Sequence, residues 1–170
     1  YRNMALAFQF GFDLIVDSDK FENTGFTQDQ IDASKIIKYC SVKESQESNR
    51  LIMKVAGEAG GVLLPLTGTQ KESFEQYLKE IKYAGVKINV INNPADKLIL
   101  NMVIYRDALV LDENGNSIVS GGKPVEKEVA AYMKALPFDG ELVINDLIEK
   151  LRAVDGVNNS HIISATSSSY

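Results

Sequence analysis

Two aspartates that stand two residues apart, Asp17 and Asp19, are the first side chains whose types and spacing could carry chemistry. On a strand, this spacing would point both carboxylates at one metal ion, as two-metal nucleotidyltransferases require. That enzyme class also places a Gly-Gly or Gly-Ser pair shortly before its acids. Here Gly11 is followed by Phe12, and Lys20 comes directly after the second acid. We therefore expect a solvated acidic loop, and the alternative is a nucleotidyltransferase-like enzyme that uses Asp17 and Asp19.

A second set of oxygen-bearing side chains occupies alternate positions in a later loop. Asp112, Asn114 and Asn116 match the opening of a calcium-binding EF-hand loop. The sixth position of that loop is Ser117 instead of Gly, and the twelfth is Lys123 instead of Glu. The Asn-Gly pair that begins at Asn114 is typical of a hairpin turn, and we expect such a turn here.

The residue types that carry most catalytic chemistry are scarce in this chain. One His (His161), one Cys (Cys40) and no Trp exclude an internal disulfide, a cysteine-rich zinc site and paired imidazole ligands. The glycine groups at 57–61 and 121–122 lack the spacing of a P-loop or a dinucleotide-binding loop. No serine stands in a nucleophile elbow. We expect no enzyme, no metal, no cofactor and no small-molecule substrate.

The composition is that of an ordinary acidic globular chain. Of its 170 residues, 45% are apolar and 24% are charged, and the net charge is −5 with a pI near 5.0. We expect no nucleic-acid partner, because such an interface is usually built from a basic face. No apolar run approaches the roughly 20 residues that cross a bilayer, so we also expect a soluble chain without a membrane partner.

Residues 1–35 are predicted to form an aromatic, irregular N-terminal segment that ends in a short helix. The capping box of Thr27 and Gln30 indicates that helix, which extends to about Ser34. The aromatic residues show no obvious core of their own, and we expect them to meet a partner. This predicted partner interface consists of Phe8, Phe10, Phe12, Phe21 and Phe26.

Residues 36–93 are predicted to form a hairpin, a helix and a strand. The hairpin strands are 36–42 and 50–56, and the glycines of 57–68 indicate an extended linker. The helix is expected to begin at Thr69, which forms a capping box with Glu72, and to close at Gly85. The predicted last strand covers residues 86–90.

Residues 94–170 show a clearer pattern of two strands that enclose two helices. The predicted elements are a strand at 98–105 that continues or bends into 108–111, a turn at 112–115, a helix at 124–136 stopped by Pro137, a helix at 144–154 and a strand at 157–165. The turn at Asn92-Asn93-Pro94 suggests a boundary near residues 92–96. The sum is an α+β fold of two small subdomains, each a short mixed or antiparallel sheet packed by one or two helices.

The last part of the chain also carries two short motifs. One is the connector Pro137-Phe138-Asp139-Gly140-Glu141-Leu142, and the other is the Val154-Asp155-Gly156-Val157 exit from the second helix. Together with the strand, helix, helix, strand order, these motifs make the stretch 87–165 similar to the C-terminal half of the baseplate J-like family of phage tail proteins. The connector resembles prophage versions from Bacteroides-type bacteria.

This resemblance implies a structural role in the wedge of a contractile-tail baseplate. The chain would assemble with copies of itself and with other baseplate and tail proteins, and one heterologous contact would repeat around a ring. It would be made in the bacterial host cytoplasm and would reside in the virion. The family pattern supplies no catalytic residue. An interaction module of an unrelated assembly is a further alternative.

Overall fold

The computed structural model describes residues 1–168, which fold into two compact units. The first unit is Tyr1–Ala95, and the second begins at Asp96. The chain is α+β, as predicted. The division falls inside the predicted interval 92–96, and the predicted segment 1–35 belongs to the same unit as the residues that follow it. Ser169 and Tyr170, the end of the predicted region 94–170, lie outside the described residues.

The first unit is built around one long strand, β2. Its elements are α1 (Arg2–Ala7), α2 (Gln28–Ser34), β1 (Tyr39–Ser45), β2 (Arg50–Ala59), β3 (Val62–Leu64), α3 (Gly68–Ile81) and β4 (Ile88–Ile91). β1 pairs with β2 in antiparallel register, and β4 pairs in parallel with residues 51–54 of β2. The chain between β2 and β4 contains α3, so the parallel pair is joined by a helical crossover.

The predicted hairpin is present, but its boundaries differ from the prediction. β1 begins at Tyr39 instead of residue 36, and the loop is reduced to residues 46–49. The predicted linker at 57–68 is wrong for its first half, because β2 continues to Ala59 and turns back into β3. Gly60 and Gly61 have φ of 60° and 80°, the positive values that a two-residue hairpin turn requires.

Two of the three helices of this unit, α2 and α3, begin with a capping box, one at the predicted residues and one two residues earlier than predicted. Thr27 and Gln30 cap α2 as predicted. α3 begins two residues earlier than predicted, because Thr67 accepts from the Gln70 N–H and the Gln70 Oε1 accepts from the Thr67 N–H at 2.9 Å. The helix ends at Ile81, and Gly85 lies in the following turn with φ of 84°.

The core of the first unit contains two of the five aromatic residues that were expected to meet a partner. Phe8 is 2% exposed and Phe21 is 7% exposed, and the two rings are 5.9 Å apart. Phe8 also lies 5.2 Å from Phe74 and 5.3 Å from Tyr77, both on α3. The predicted partner interface is therefore corrected for Phe8 and Phe21, which pack inside their own unit.

The second unit combines a long two-stranded ribbon with a pair of helices. Its elements are β5 (Lys97–Arg106), α4 (Pro124–Ala135), α5 (Ile144–Arg152) and β6 (Val157–Ser168). Pro124 stands in the first turn of α4, and the helix stops before Pro137, as predicted. β5 and β6 pair antiparallel over their whole length, with register shifts between Asn101 and Met102 and between Tyr105 and Arg106. α5 packs on β6, and the buried apolar residues are Leu111, Leu147, Leu151 and Val157.

The chain bends at residues 108–111 and does not continue the strand, which is the second of the two predicted courses. The Leu109 N–H donates to the Asp107 carboxylate at 2.8 Å, and the Leu111 N–H donates to the Asp107 carbonyl oxygen at 2.9 Å. Asp107 therefore turns the chain directly after β5, because its side chain and main chain both accept bonds from the next residues.

Candidate functional site

Asp17 and Asp19 lie in an exposed turn and not on a strand. The turn is closed by a hydrogen bond from the Ile15 N–H to the Lys20 carbonyl oxygen at 2.9 Å, and Asp17 has φ of 54°. The spacing therefore does not place both carboxylates on one strand face, and the pair is the solvated acidic loop that we expected. Among residues 1–168, no group of three or more His, Cys, Asp or Glu side chains is arranged to hold a metal ion.

The Asp112 carboxylate organises the predicted turn from within. It accepts from the Asn114 N–H at 2.9 Å, and from the Asn116 N–H and Nδ2 at 2.8 Å each. The Asn116 side chain is the largest cause that holds the pKa of Asp112 below its usual value. A bridge between Leu111 and Ser117 closes the turn. The predicted turn is confirmed, although a single bridge and not a pair of strands closes it. The Asp112 carboxylate oxygens accept two bonds from the loop backbone and one from the Asn116 side chain.

The isolated cysteine and the isolated histidine occupy different environments. Cys40 is buried in the first unit, and burial raises the pKa of its thiol to about 11, so the thiol stays protonated at neutral pH. His161 is exposed on β6 and lies opposite Val103. With Tyr105 and Asn159 it lines a depression of about 590 Å³. No serine accompanies His161 in that lining.

A groove of about 460 Å³ in the first unit collects four cationic side chains, which are Arg50, Lys79, Lys82 and Lys87. Lys79 and Lys82 stand at the C-terminal end of α3, where the helix dipole favours positive charge. The Lys82 ammonium also donates to the Val86 carbonyl oxygen at 3.4 Å. These residues come from β2, from the end of α3 and from the loop before β4, so sequence spacing could not indicate the group, and Glu75 also lines the groove. The helix end accounts for half of the charge.

The remaining residues of the predicted partner interface differ in exposure. Phe10 and Phe12 are half-buried against the core of the first unit. Phe26 is 47% exposed, and its ring lies 4.4 Å from that of Phe12. Phe26 is thus the exposed member of the five, and a partner interface at Phe10, Phe12 and Phe26 stays a prediction.

The largest set of exposed apolar side chains in regular structure lies on the β5–β6 ribbon. On β5, the even-numbered apolar residues are half-buried, whereas Ile99, Val103 and Tyr105 on the other face are 63%, 39% and 56% exposed. Ile163 of β6, at the register shift, is 57% exposed. We call these four residues the ribbon surface. It is the candidate functional site, because an apolar surface of this kind is what protein partners cover.

The sequence of β5 contains a signal for this surface beyond the alternation of Leu98, Leu100, Met102 and Ile104. From Leu98 to Tyr105 every residue except Asn101 is apolar. A nearly continuous apolar run is typical of a strand covered on both faces, and an alternating pattern is typical of one covered face. In its own unit, β5 has one of its two faces exposed.

Comparison with known proteins adds no identification. No protein-family model matches the chain, and no curated protein matches it. Within the described residues, no helix has the length and apolar character that crossing a membrane would require.

Proposed function

We propose that this chain is a structural component of a phage or prophage contractile-tail baseplate, in which it acts by assembly with copies of itself and with other baseplate proteins. The observation that carries the proposal is the ribbon surface. A chain whose longest strand pair leaves Ile99, Tyr105 and Ile163 more than half exposed has apolar area that a neighbour can cover.

The energetics of the ribbon favour such a neighbour. An isolated two-stranded hairpin is marginally stable, and a third strand or a packed face is needed for independent stability. α5 contacts β6 near its start, where the Ser160 hydroxyl donates to the Ile148 carbonyl oxygen at 3.4 Å. The other end of the ribbon, from Lys97 to Leu100 and from Ala165 to Ser168, has no buried residue. Full burial of each large apolar side chain would contribute about 1.5–3 kcal/mol, so covering the ribbon surface would stabilise it substantially.

The choice of a baseplate rests on the sequence resemblance of residues 87–165. The two motifs that carry this resemblance each have a defined local geometry. The connector after α4 is a tight turn in which the Gly140 N–H donates to the Pro137 carbonyl oxygen at 2.7 Å. Gly156, in the exit from α5, has φ of 80°, and its carbonyl oxygen accepts from the Asp107 N–H at 2.8 Å. Both motifs thus have a defined structural task at the two ends of α5.

The proposed setting is the virion, with synthesis in the host cytoplasm and without a nucleic-acid, membrane or small-molecule partner. An interaction module of an unrelated assembly would use the same ribbon surface, so localisation must separate the two. No observation of the geometry favours the nucleotidyltransferase alternative, because Asp17 and Asp19 lie in an exposed turn.

The decisive experiment deletes the coding sequence from the bacterium that carries it and examines the tail particles released after prophage induction by electron microscopy. We expect tails without a complete baseplate, rescue by the wild-type chain, and antibody labelling at the baseplate end of rescued particles. Complete tails without the chain would overturn the proposal. So would magnesium-dependent nucleotide turnover that is lost in Asp17→Asn and Asp19→Asn variants.

A further inference from the structure

We propose that residues 161–168 of β6 pair antiparallel with the same segment of a second copy and so form a two-fold symmetric dimer. The inference deepens the proposed function, on which it rests for its biological setting, by naming the first partner and the contact. It concerns the open edge of β6, and the ribbon surface lies on the sheet that this edge would extend.

The first observation is that β6 has an open edge with no use inside the unit. β6 pairs with β5 and with no other strand in the part of the chain that the structure describes. Near its start the strand is occupied: the Asn159 Oδ1 accepts from the Ser160 N–H at 2.9 Å and from the Arg152 Nε at 3.1 Å. Beyond Ser160 every residue to Ser168 is exposed, except the half-buried Ile162.

The second observation is that this edge lacks charge. Natural edge strands carry Lys, Pro, inward charges or β-bulges that prevent pairing with another chain. The segment His-Ile-Ile-Ser-Ala-Thr-Ser-Ser at 161–168 contains no Asp, Glu, Lys, Arg, Pro or Gly, although 24% of the chain is charged. The one such device in the segment is the β-bulge at Ile163, and residues 164–168 beyond it follow β5 without a further register shift. An uncharged edge of this kind is a template for strand addition.

The third observation indicates that the added strand is β6 of a second copy. A two-fold contact pairs the segment with the same segment of the second copy, so that residue i meets residue j and j meets i, and the segment must tolerate itself. Residues 161–168 tolerate such pairing, because none of them carries a permanent charge. Their serine and threonine side chains can also hydrogen-bond across strands. β5 would not tolerate self-pairing, because an antiparallel contact would bring Lys97 of each copy next to Arg106 of the other.

The dimer would also supply what the ribbon lacks. Pairing through β6 joins two two-stranded ribbons into one sheet of the order β5, β6, β6 of the second copy, β5 of the second copy. A sheet of three or more strands can be stable by itself, whereas an isolated two-stranded ribbon is only marginally stable. In such a pair the residue nearest the two-fold axis is Ser164 or Ala165, at the middle of 161–168, and it faces its own copy.

The test compares two lysine substitutions at residues that are direct cross-strand partners. Ser164 on β6 lies opposite Asn101 on β5, and both are exposed. By sedimentation equilibrium we expect the wild type to dimerise, Ser164→Lys to weaken the dimer at least roughly tenfold because two ammonium groups meet at the axis, and Asn101→Lys to leave it unchanged. A monomeric wild type, or equal weakening by both variants, would overturn the inference.

A second measurement keeps the result independent of small effects on folding. We expect Ser164→Cys or Ala165→Cys to form a disulfide-linked dimer under mild oxidation, since directly opposite Cβ atoms are within bonding reach. Asn101→Cys is the control, because three strand spacings would hold it about 14 Å from its copy. The native Cys40 is buried and contributes little background. Cross-linking at 101 without cross-linking at 164 or 165 contradicts the pairing.

The two proposals fail in different ways. A chain that dimerises through β6 but is missing from tail particles supports this inference and overturns the baseplate proposal. A chain that is found in baseplates, is a monomer in isolation and assembles normally with Ser164→Lys overturns this inference and supports the baseplate proposal.

Discussion

Asn92 and Leu66 are joined by a two-way hydrogen bond. The Asn92 Oδ1 accepts from the Leu66 N–H at 2.7 Å, and the Asn92 Nδ2 donates to the Leu66 carbonyl oxygen at 2.9 Å. One side-chain amide thus satisfies both main-chain groups of a residue that is 6% exposed. It fixes the chain after β4 against the residue that leads into α3.

We expect Asn92→Ala to lower the free energy of unfolding of the first unit by about 1–3 kcal/mol, because it leaves two partly buried backbone groups without a partner. Urea unfolding followed by circular dichroism measures this change. Asn93→Ala, at the exposed neighbour, should change the free energy little. Equal effects at the two positions would contradict the role of the Asn92 amide.

This bond also explains an error in the sequence-based boundary of α3. The chain contains two overlapping capping patterns, Thr67 with Gln70 and Thr69 with Glu72, and local sequence favours neither. Asn92 is 26 residues away from Leu66, where its amide holds the residue directly before Thr67. The start of the helix therefore depends on a tertiary contact that no local pattern contains.

A matched pair of threonine substitutions tests which residue caps α3. Thr67→Ala removes the acceptor for the Gln70 N–H and should cost about 1 kcal/mol of the free energy of unfolding. Thr69→Ala, inside the first turn, should cost a few tenths at most, since alanine is the better helix former. Thermal unfolding of both variants decides between them, and a larger loss for Thr69→Ala would restore the sequence-based start.

Phe8 and Phe26 illustrate how far composition could predict burial. The sequence placed both in one aromatic segment. The structure buries Phe8 among aromatic residues of α3 and leaves Phe26 47% exposed. α1 is a single short helix and the residues after it follow turns, so no periodicity indicated which rings face inward. Alternation along β2 and β5, in contrast, predicted the positions of these two strands well, because strand periodicity is local.

We expect Phe8→Ala to reduce the free energy of unfolding by about 3–5 kcal/mol, the cost of a large cavity in a packed core. Phe26→Ala should cost about 1 kcal/mol or less, mainly from its contact with Phe12. Chemical unfolding of the two variants gives both values. If Phe26 contacts a partner as predicted, Phe26→Ala should weaken that association without destabilising the chain, which a pull-down from tail lysates can measure.

The Asp112 turn should make the stability of the second unit depend on pH in the acid range. Hydrogen bonds from Asn116 and Asn114 lower the folded-state pKa of Asp112 below its usual value of 3.8. The stabilising contribution is therefore fully present above the unfolded pKa, and it is lost as pH falls through the lower folded pKa. Asp112→Asn should flatten the pH dependence of unfolding below about pH 4.

The control for this prediction is Glu113→Gln, which removes the same charge from the adjacent exposed side chain. Its pH profile should follow the wild type more closely than that of Asp112→Asn. Direct titration of the Asp112 carboxyl by NMR supplies the pKa itself. A pKa at or above 3.8, or the same slope in both variants, would show that the turn does not depend on the ionised carboxylate.

Gly156, at the exit from α5, combines a left-handed backbone with close packing, and this explains why the Gly-Val motif stands there. Its φ is 80°, and a Cβ at this position would lie 2.7 Å from Cγ1 of Val110 and 2.8 Å from Cγ of Leu111.

We expect Gly156→Ala to lower the free energy of unfolding by about 2–5 kcal/mol, as the sum of backbone strain and overpacking. Gly121 has φ of 68° with no atom within 4 Å, so Gly121→Ala carries the strain alone and should cost about 1–2 kcal/mol. Unfolding of both variants isolates the packing contribution, and equal losses would mean that Val110 and Leu111 move aside. Because β6 begins directly after Gly156, the destabilised variant should also lose dimerisation through residues 161–168, whereas Gly121→Ala should retain it.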